Sequence, residues 1–129
     1  MKTWPDARKA VHTLLQGFEH GDRVVEAFYI LPHDFEKTSL PCANTYVQRG
    51  DEGFIDRVTW VAVDIYAAPG ESMGIAEAFT SKFGGQPRHV DGVGLLDLVE
   101  VDQVPSDVPR PDGVEQTQFV LRVTTRPVF

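Results

Sequence analysis

Cysteine is nearly missing from this chain: Cys42 stands alone among 129 residues, which excludes an internal disulfide or a thiolate metal cluster within one copy. Placed after Pro41, that thiol reads as a small buried hydrophobe rather than a nucleophile. Long apolar runs are missing too. No stretch reaches the roughly 18 residues a membrane span needs, and the opening Met1-Lys2-Thr3-Trp4-Pro5-Asp6 carries no apolar signal segment, so the expectation is a cytosolic product with no membrane partner. Positive charge is scarce. Twelve Lys and Arg face 19 Asp and Glu, a formal charge of −7, which argues against a protein that grips nucleic acid through its phosphates.

The usual marks of chemistry are absent as well. His12, His20, His33 and His89 form neither an i, i+4 pair nor an HExxH frame, so no metal site is expected. Gly92-Val93-Gly94 precedes a strand pattern instead of joining strand to helix, so no phosphate loop is expected. Asp51, Glu52 and Asp56 read as a solvated turn, and Ser72 reads as a helix cap, with no base near it in sequence. Asp64 and Asp97 lie among apolar neighbours where one carboxyl can be raised in pKa. These residues give no constellation for catalysis and imply no cofactor; the chain reads as a protein that is not an enzyme.

What is present is a single-domain composition, 42% apolar and 24% charged, organised around one stretch. From Phe54 to Ala68, Ile55, Val61, Val63, Ile65 and Ala67 share one side and Phe54, Val58, Trp60, Ala62 and Tyr66 the other. This period of two predicts a strand about 45–50 Å long. Before it, Trp4, Ala7, Val11, Leu14, Leu15 and Phe18 predict an amphipathic helix over 4–20, closed by Gly21. A first strand is expected over Arg23–Leu31, then a connection from Pro32 to Pro41 that carries Phe35 and Leu40, then a short strand over Ala43–Arg49 containing Tyr46. Gly50-Asp51-Glu52-Gly53 is expected to turn that strand into the long one.

After Pro69-Gly70, Met73, Ala76, Phe79 and Phe83 predict a second helix, stopped by Gly84-Gly85. A strand over Gly94–Val104 follows, with a helix over Leu95–Val99 as the alternative that Val-Glu-Val and the glycines at 92 and 94 disfavour, and then a stiff loop with Pro105, Pro109, Arg110, Pro111 and Gly113; from Asp91 to Glu115 seven acids face the single base Arg110. Gln116–Thr125 closes the chain as a strand, with Thr117, Phe119, Leu121 and Val123 inward. The order is α-β-β-β-α-β-β: an α+β fold, a mostly antiparallel sheet of four to five strands with two helices on one face, in one domain over 1–129. Two helices suffice for one face of the sheet. Trp60 and Tyr66 on the other are then expected to meet another subunit, unless the first helix covers them.

Taken in sequence order, these features resemble the tail terminator proteins of long non-contractile-tailed phages, the lambda-type family. The likeness rests on the N-terminal helix, Leu40-Pro41 before a strand ending Val47-Gln48-Arg49-Gly50, and the acidic turn. It continues with the long strand over 57–67, a helix with Ala76 and Ala78, Asp91-Gly92-Val93, the proline-rich loop and the closing Thr125-Arg126-Pro127. Two departures stand out: Gly50-Asp51 replaces a glycine pair, and Glu71-Ser72 replaces basic residues at the second helix. The resemblance implies a homohexameric ring in the virion, at the tail–neck junction. Such a ring ends the tail tube, contacts the tube (major tail) protein and a head-side connector, and lets DNA pass through its lumen without specific binding. Phe35, Leu40, Tyr46, Trp60, Tyr66, Pro109, Arg110 and Pro111 are the candidate interface residues. The alternatives are a neck or head-completion ring protein and, from another class, a small dimeric α+β ligand-binding domain.

Overall fold

Alternation around Val61 puts Val61, Val63, Ile65 and Ala67 on one side of a strand, all fully buried. The computed structural model describes residues 3–128. Its elements are α1 (Ala7–Leu15), β1 (Glu19–His20), β2 (Arg23–Val24), β3 (Glu26–Phe28), α2 (Phe35–Thr38), β4 (Cys42–Glu52), β5 (Arg57–Ala67), α3 (Ser72–Phe83), β6 (Gln86–Val90), β7 (Gly94–Val108) and β8 (Glu115–Thr125). One six-stranded sheet has the order β3-β4-β5-β8-β7-β6, and β1 and β2 form a separate ribbon. The α+β class stands, but the detail differs from expectation. The sheet gains β6 and a parallel β3–β4 pair, and α2 adds a third helix.

Both longer helices pack on the same face of the sheet. Ala7, Ala10, Val11 and Leu15 of α1 and Ile75, Ala76, Phe79 and Phe83 of α3 join Val61, Val63 and Ile65 of β5 and Phe119, Leu121 and Val123 of β8 in one core. Phe79 lies at its centre, with ring centroids 5.3 Å from Phe18, 4.7 Å from Phe83 and 5.7 Å from Phe119. The first helix is shorter than its apolar stripe suggests. Asp6 caps it by accepting the Lys9 N–H at 3.0 Å, but the chain leaves the helix at Gln16. Gly17, with φ +76°, then turns the backbone so that its N–H reaches the Val25 carbonyl at 2.9 Å. The expected strand over Arg23–Leu31 is accordingly split: part pairs with β1, part with β4.

The hairpin turn also moves. Gly50, Asp51 and Glu52 stay in β4, opposite Thr59, Val58 and Arg57, and a bulge between Val47 and Arg49 resets the register. The turn is Gly53–Asp56, closed by the Gly53 N–H on the Asp56 carbonyl at 2.8 Å. Ile55, expected in the core, is therefore 60% exposed at the tip. At the other end of the sheet Pro105 lies inside β7 rather than in a loop, an outer-strand position where its missing N–H does little harm.

Helix α3 is capped from a distance. Its N-cap residue Glu71 makes no side-chain cap bond. Instead the Glu115 carboxylate, at the start of β8, accepts the N–H groups of Gly70 and Ser72, each at 2.9 Å, and the Ser72 hydroxyl. The Ser72 hydroxyl, the Ser72 and Gly70 N–H groups and the helix start hold the Glu115 carboxyl below the usual carboxylate range. Its stabilising effect is complete above the unfolded pKa and fades as pH falls through the lowered folded value. Glu115→Ala should cost about 1–2 kcal/mol in urea unfolding at pH 7, and the difference from wild type should shrink toward pH 3; an equal difference at both pH values would argue against the charge.

Candidate functional surface

The second face of β5 is built by Val58, Trp60, Ala62, Asp64 and Tyr66, and register fixes their neighbours. Trp60 lies between Arg49 and Arg122, Asp64 between Asn44 and Gln118, and Tyr66 between Cys42 and Gln116. Trp60 is only 7% exposed and forms a small apolar cluster with Ala62, Val120 and Val58. Within the chain its cover is not the first helix, one of the two arrangements that sequence reasoning offered. The guanidinium of Arg49 sits 3.9 Å from the indole centroid and that of Arg122 5.6 Å away; Arg122 is held by Glu100 at 2.7 Å. Planar cations on aliphatic stems close over the indole.

Asp64 lies one pair further along, 6% exposed, its Oδ1 accepting the side-chain amides of Gln116 at 3.1 Å and Gln118 at 3.0 Å. Burial pushes its carboxyl up; the two amide bonds only partly oppose this. The Gln118 amide also donates to the Tyr46 hydroxyl at 3.0 Å. Beyond Asp64, Tyr66 is 6% exposed, and burial followed by the Asp64 charge pushes its phenol up to about 12.

Three of the expected interface residues meet at Tyr66. Phe35 of α2 packs edge-on at 4.9 Å, and Arg110 lies 5.3 Å from the Tyr66 ring centroid and 5.7 Å from that of Phe35. Asp112 anchors Arg110 at 2.5 Å, and the bound guanidinium holds the Asp112 carboxyl down to about 2. Pro109 lines a shallow cleft of about 300 Å³ beside Arg110, Asp107, Glu115 and Gln116. Leu40 is half-buried, and Pro111 is exposed in the loop between β7 and β8. Tyr46, 38% exposed, is tied to the group by its bond to Gln118, and Trp60 belongs to the separate apolar cluster.

Trp60 and Tyr66 are thus filled positions within one chain rather than a bare patch. Exposed large apolar side chains are scattered over the described surface: Phe54 at 100% and Ile55 at 60% on the β4–β5 tip, Ile30 at 87% after β3, Val104 at 72% on β7, and Val47, Leu95, Val24, Val128, Tyr29 and Tyr46 to a lesser degree. Sequence reading missed Val47 and Val104 because alternation alone does not tell which strands end a sheet. It named Asp64 but not its partners Gln116 and Gln118, which carry no motif.

No protein-family model matches the chain, and no curated protein matches it. What the arrangement can do is therefore read from its geometry. Among the described residues, no three His, Cys, Asp or Glu side chains converge as a metal site. Ser72 is fully buried and bonded to Glu115 and Thr117, out of reach of a substrate. His12 stacks on Tyr29 at 3.9 Å, and burial, then Arg8, lowers its pKa. Asp97, the other acid singled out, is paired to Arg126 at 2.6 Å.

Asp64 gives a signed prediction. A carboxyl raised by folding favours the native state below its unfolded pKa and costs stability as pH rises through the folded one. Asp64→Asn keeps an oxygen for the two glutamine amides and removes the charge. It should raise Tm at pH 7, with the gain vanishing near pH 3; a lower Tm at pH 7 would show that the charge itself is needed.

Proposed function

We propose that this chain is a ring-forming structural subunit, a tail terminator that closes the end of a phage tail tube. The observation that carries the reading is the hairpin tip: Phe54 is wholly exposed and Ile55 largely so, at the end of two eleven-residue strands. A large aromatic at a tip has no role in the chain's own core, and such side chains mark contacts with other chains. Two further features fit. The order of sequence features is the one on which the resemblance to the lambda-type terminators rests, and the −7 charge repeats with every copy. Acidic groups on a lumen would repel passing DNA within a Debye length of about 8 Å.

In this reading six copies form the ring, one side meeting the last layer of tube protein and the other a head-side connector. Capping is a matter of surface: one side copies the next tube layer, while the other lacks what a further layer needs. The Phe35, Tyr66 and Arg110 group acts within the subunit, stiffening the loop that follows β7 on the sheet.

Native mass spectrometry tests this. Six masses of the 14.4 kDa chain are expected in one species, and a dimer carrying a small molecule would sink the proposal in favour of a ligand-binding domain. Phe54→Asp should lose the large species while its unfolding free energy stays within about 0.5 kcal/mol, because an exposed tip residue contributes little to the fold. A ring that survives this substitution would remove the tip from the interface.

A further inference from the structure

On the second face of the sheet, buried Asp64 has its two oxygens unequally served. Oδ1 accepts both amide donors, from Gln116 at 3.1 Å and from Gln118 at 3.0 Å, and among the described residues nothing donates to Oδ2. An ionised carboxylate carries its charge on both oxygens and draws donors to each. A neutral carboxylic acid is asymmetric in the way seen here: one oxygen is a carbonyl that accepts, and the other is a hydroxyl that needs an acceptor.

An acceptor stands across the strand. Asn44 is directly opposite Asp64 in the β4–β5 register, and its Oδ1 is buried with no donor. Opposed side chains on one face of an antiparallel pair have Cβ atoms about 4.5–5.5 Å apart, within reach of two short polar groups. Both glutamines lie on β8, on the other side of β5 from β4, so the oxygen they hold points toward β8 and leaves Oδ2 to β4. Gln116 is fixed as a donor to Asp64, because its Oε1 accepts from Arg110 Nη1 at 3.4 Å.

The surroundings bring Asp64 no paired cation. Tyr66 follows it on this face of β5, Tyr46 and Cys42 lie on β4, and Ser106 of β7 lies beyond Gln118. Arg110 reaches over Tyr66 from the loop after β7, with Glu36 of α2 near it, but its ion pair is with Asp112. Burial of a carboxyl without a cation disfavours the charged form, the same direction as the upward shift at Asp64.

We infer that Asp64 is the proton-holding group of a pH-sensitive latch: as a neutral acid it accepts the two glutamine amides on Oδ1 and donates its hydroxyl from Oδ2 to Asn44 Oδ1. One proton then joins β4, β5 and β8 on this face. When the pH rises through the folded value the proton passes to solvent, Asp64 and Asn44 turn two acceptors toward each other, and this part of the sheet loses stability. The latch stands apart from the ring reading and holds or fails without it.

NMR of the Asp64 carboxyl carbon across a pH series tests it. The wild-type midpoint should lie above the ordinary aspartate value of about 4; a midpoint at or below that value would overturn the inference before any variant is made. Asn44→Leu keeps the volume and excludes water but removes the acceptor, so the midpoint should fall by about one pH unit, a tenfold change in the proton equilibrium. An unmoved midpoint would leave burial as the whole cause, and a risen one would show Asn44 donating to an ionised Asp64; either overturns the latch. A double-mutant cycle gives a second readout. In Asp64→Asn an amide N–H takes the place of the hydroxyl, so the gain in Tm at pH 7 should be smaller in the Asn44→Leu background than in the wild-type one. Equal gains would overturn the contact with Asn44.

Discussion

β5 is covered on both faces, and the rest of the molecule is arranged to meet that constraint. It pairs along its length with β4 and β8, so its backbone groups are satisfied and its side chains alone decide what lies above and below. Valine and isoleucine on one side demand an apolar cover, which α1 and α3 provide. Tryptophan, aspartate and tyrosine on the other need cations, amides and an aromatic edge. A slip of one residue would drive Asp64 into the helix-covered core and Val63 among the glutamines, and this penalty fixes the register of the central strands.

The cover of the second face comes from segments far apart in sequence, so it is a product of assembly rather than of local structure. Phe35 arrives from α2, Arg110 from the loop after β7, and Gln116 and Gln118 from the last strand. The same economy appears at α3, whose free N–H groups are met by a carboxylate on β8. All of these contacts except Phe35 on Tyr66 tie β8 or its preceding loop to another element. The connection between β7 and β8 is thereby held although it is proline-rich and exposed.

Trp60 and Tyr66 are covered from within the chain, although Trp60 Nε1 and Asn44 Oδ1 on the same face are buried without a hydrogen-bond partner. Edges and a hairpin tip favour association side by side rather than face to face, since backbone hydrogen bonds lie in the plane of the sheet. In the proposed ring, that geometry suits a repeating assembly better than a pocket for a small ligand.

Alternation and helical periodicity alone determined the α+β class, the buried side of β5, the inward set of β8 and the extent of α3, because burial of one face leaves a period in the sequence. The same reading placed Trp60 and Tyr66 on the opposite side of β5 and singled out Phe35 and Arg110, without any means to see that Phe35, Tyr66 and Arg110 meet. Tertiary structure decided the rest. α1 ends early because Gly17 turns to pair with Val25, the hairpin turn shifts because Glu52 and Arg57 pair at 2.5 Å, and β6 forms because Gln86–Val90 has a neighbour in β7. Strand order is set by contacts between distant segments, which carry no local period, and so the placing of Asp64 between Asn44 and Gln118 became visible only in the folded sheet.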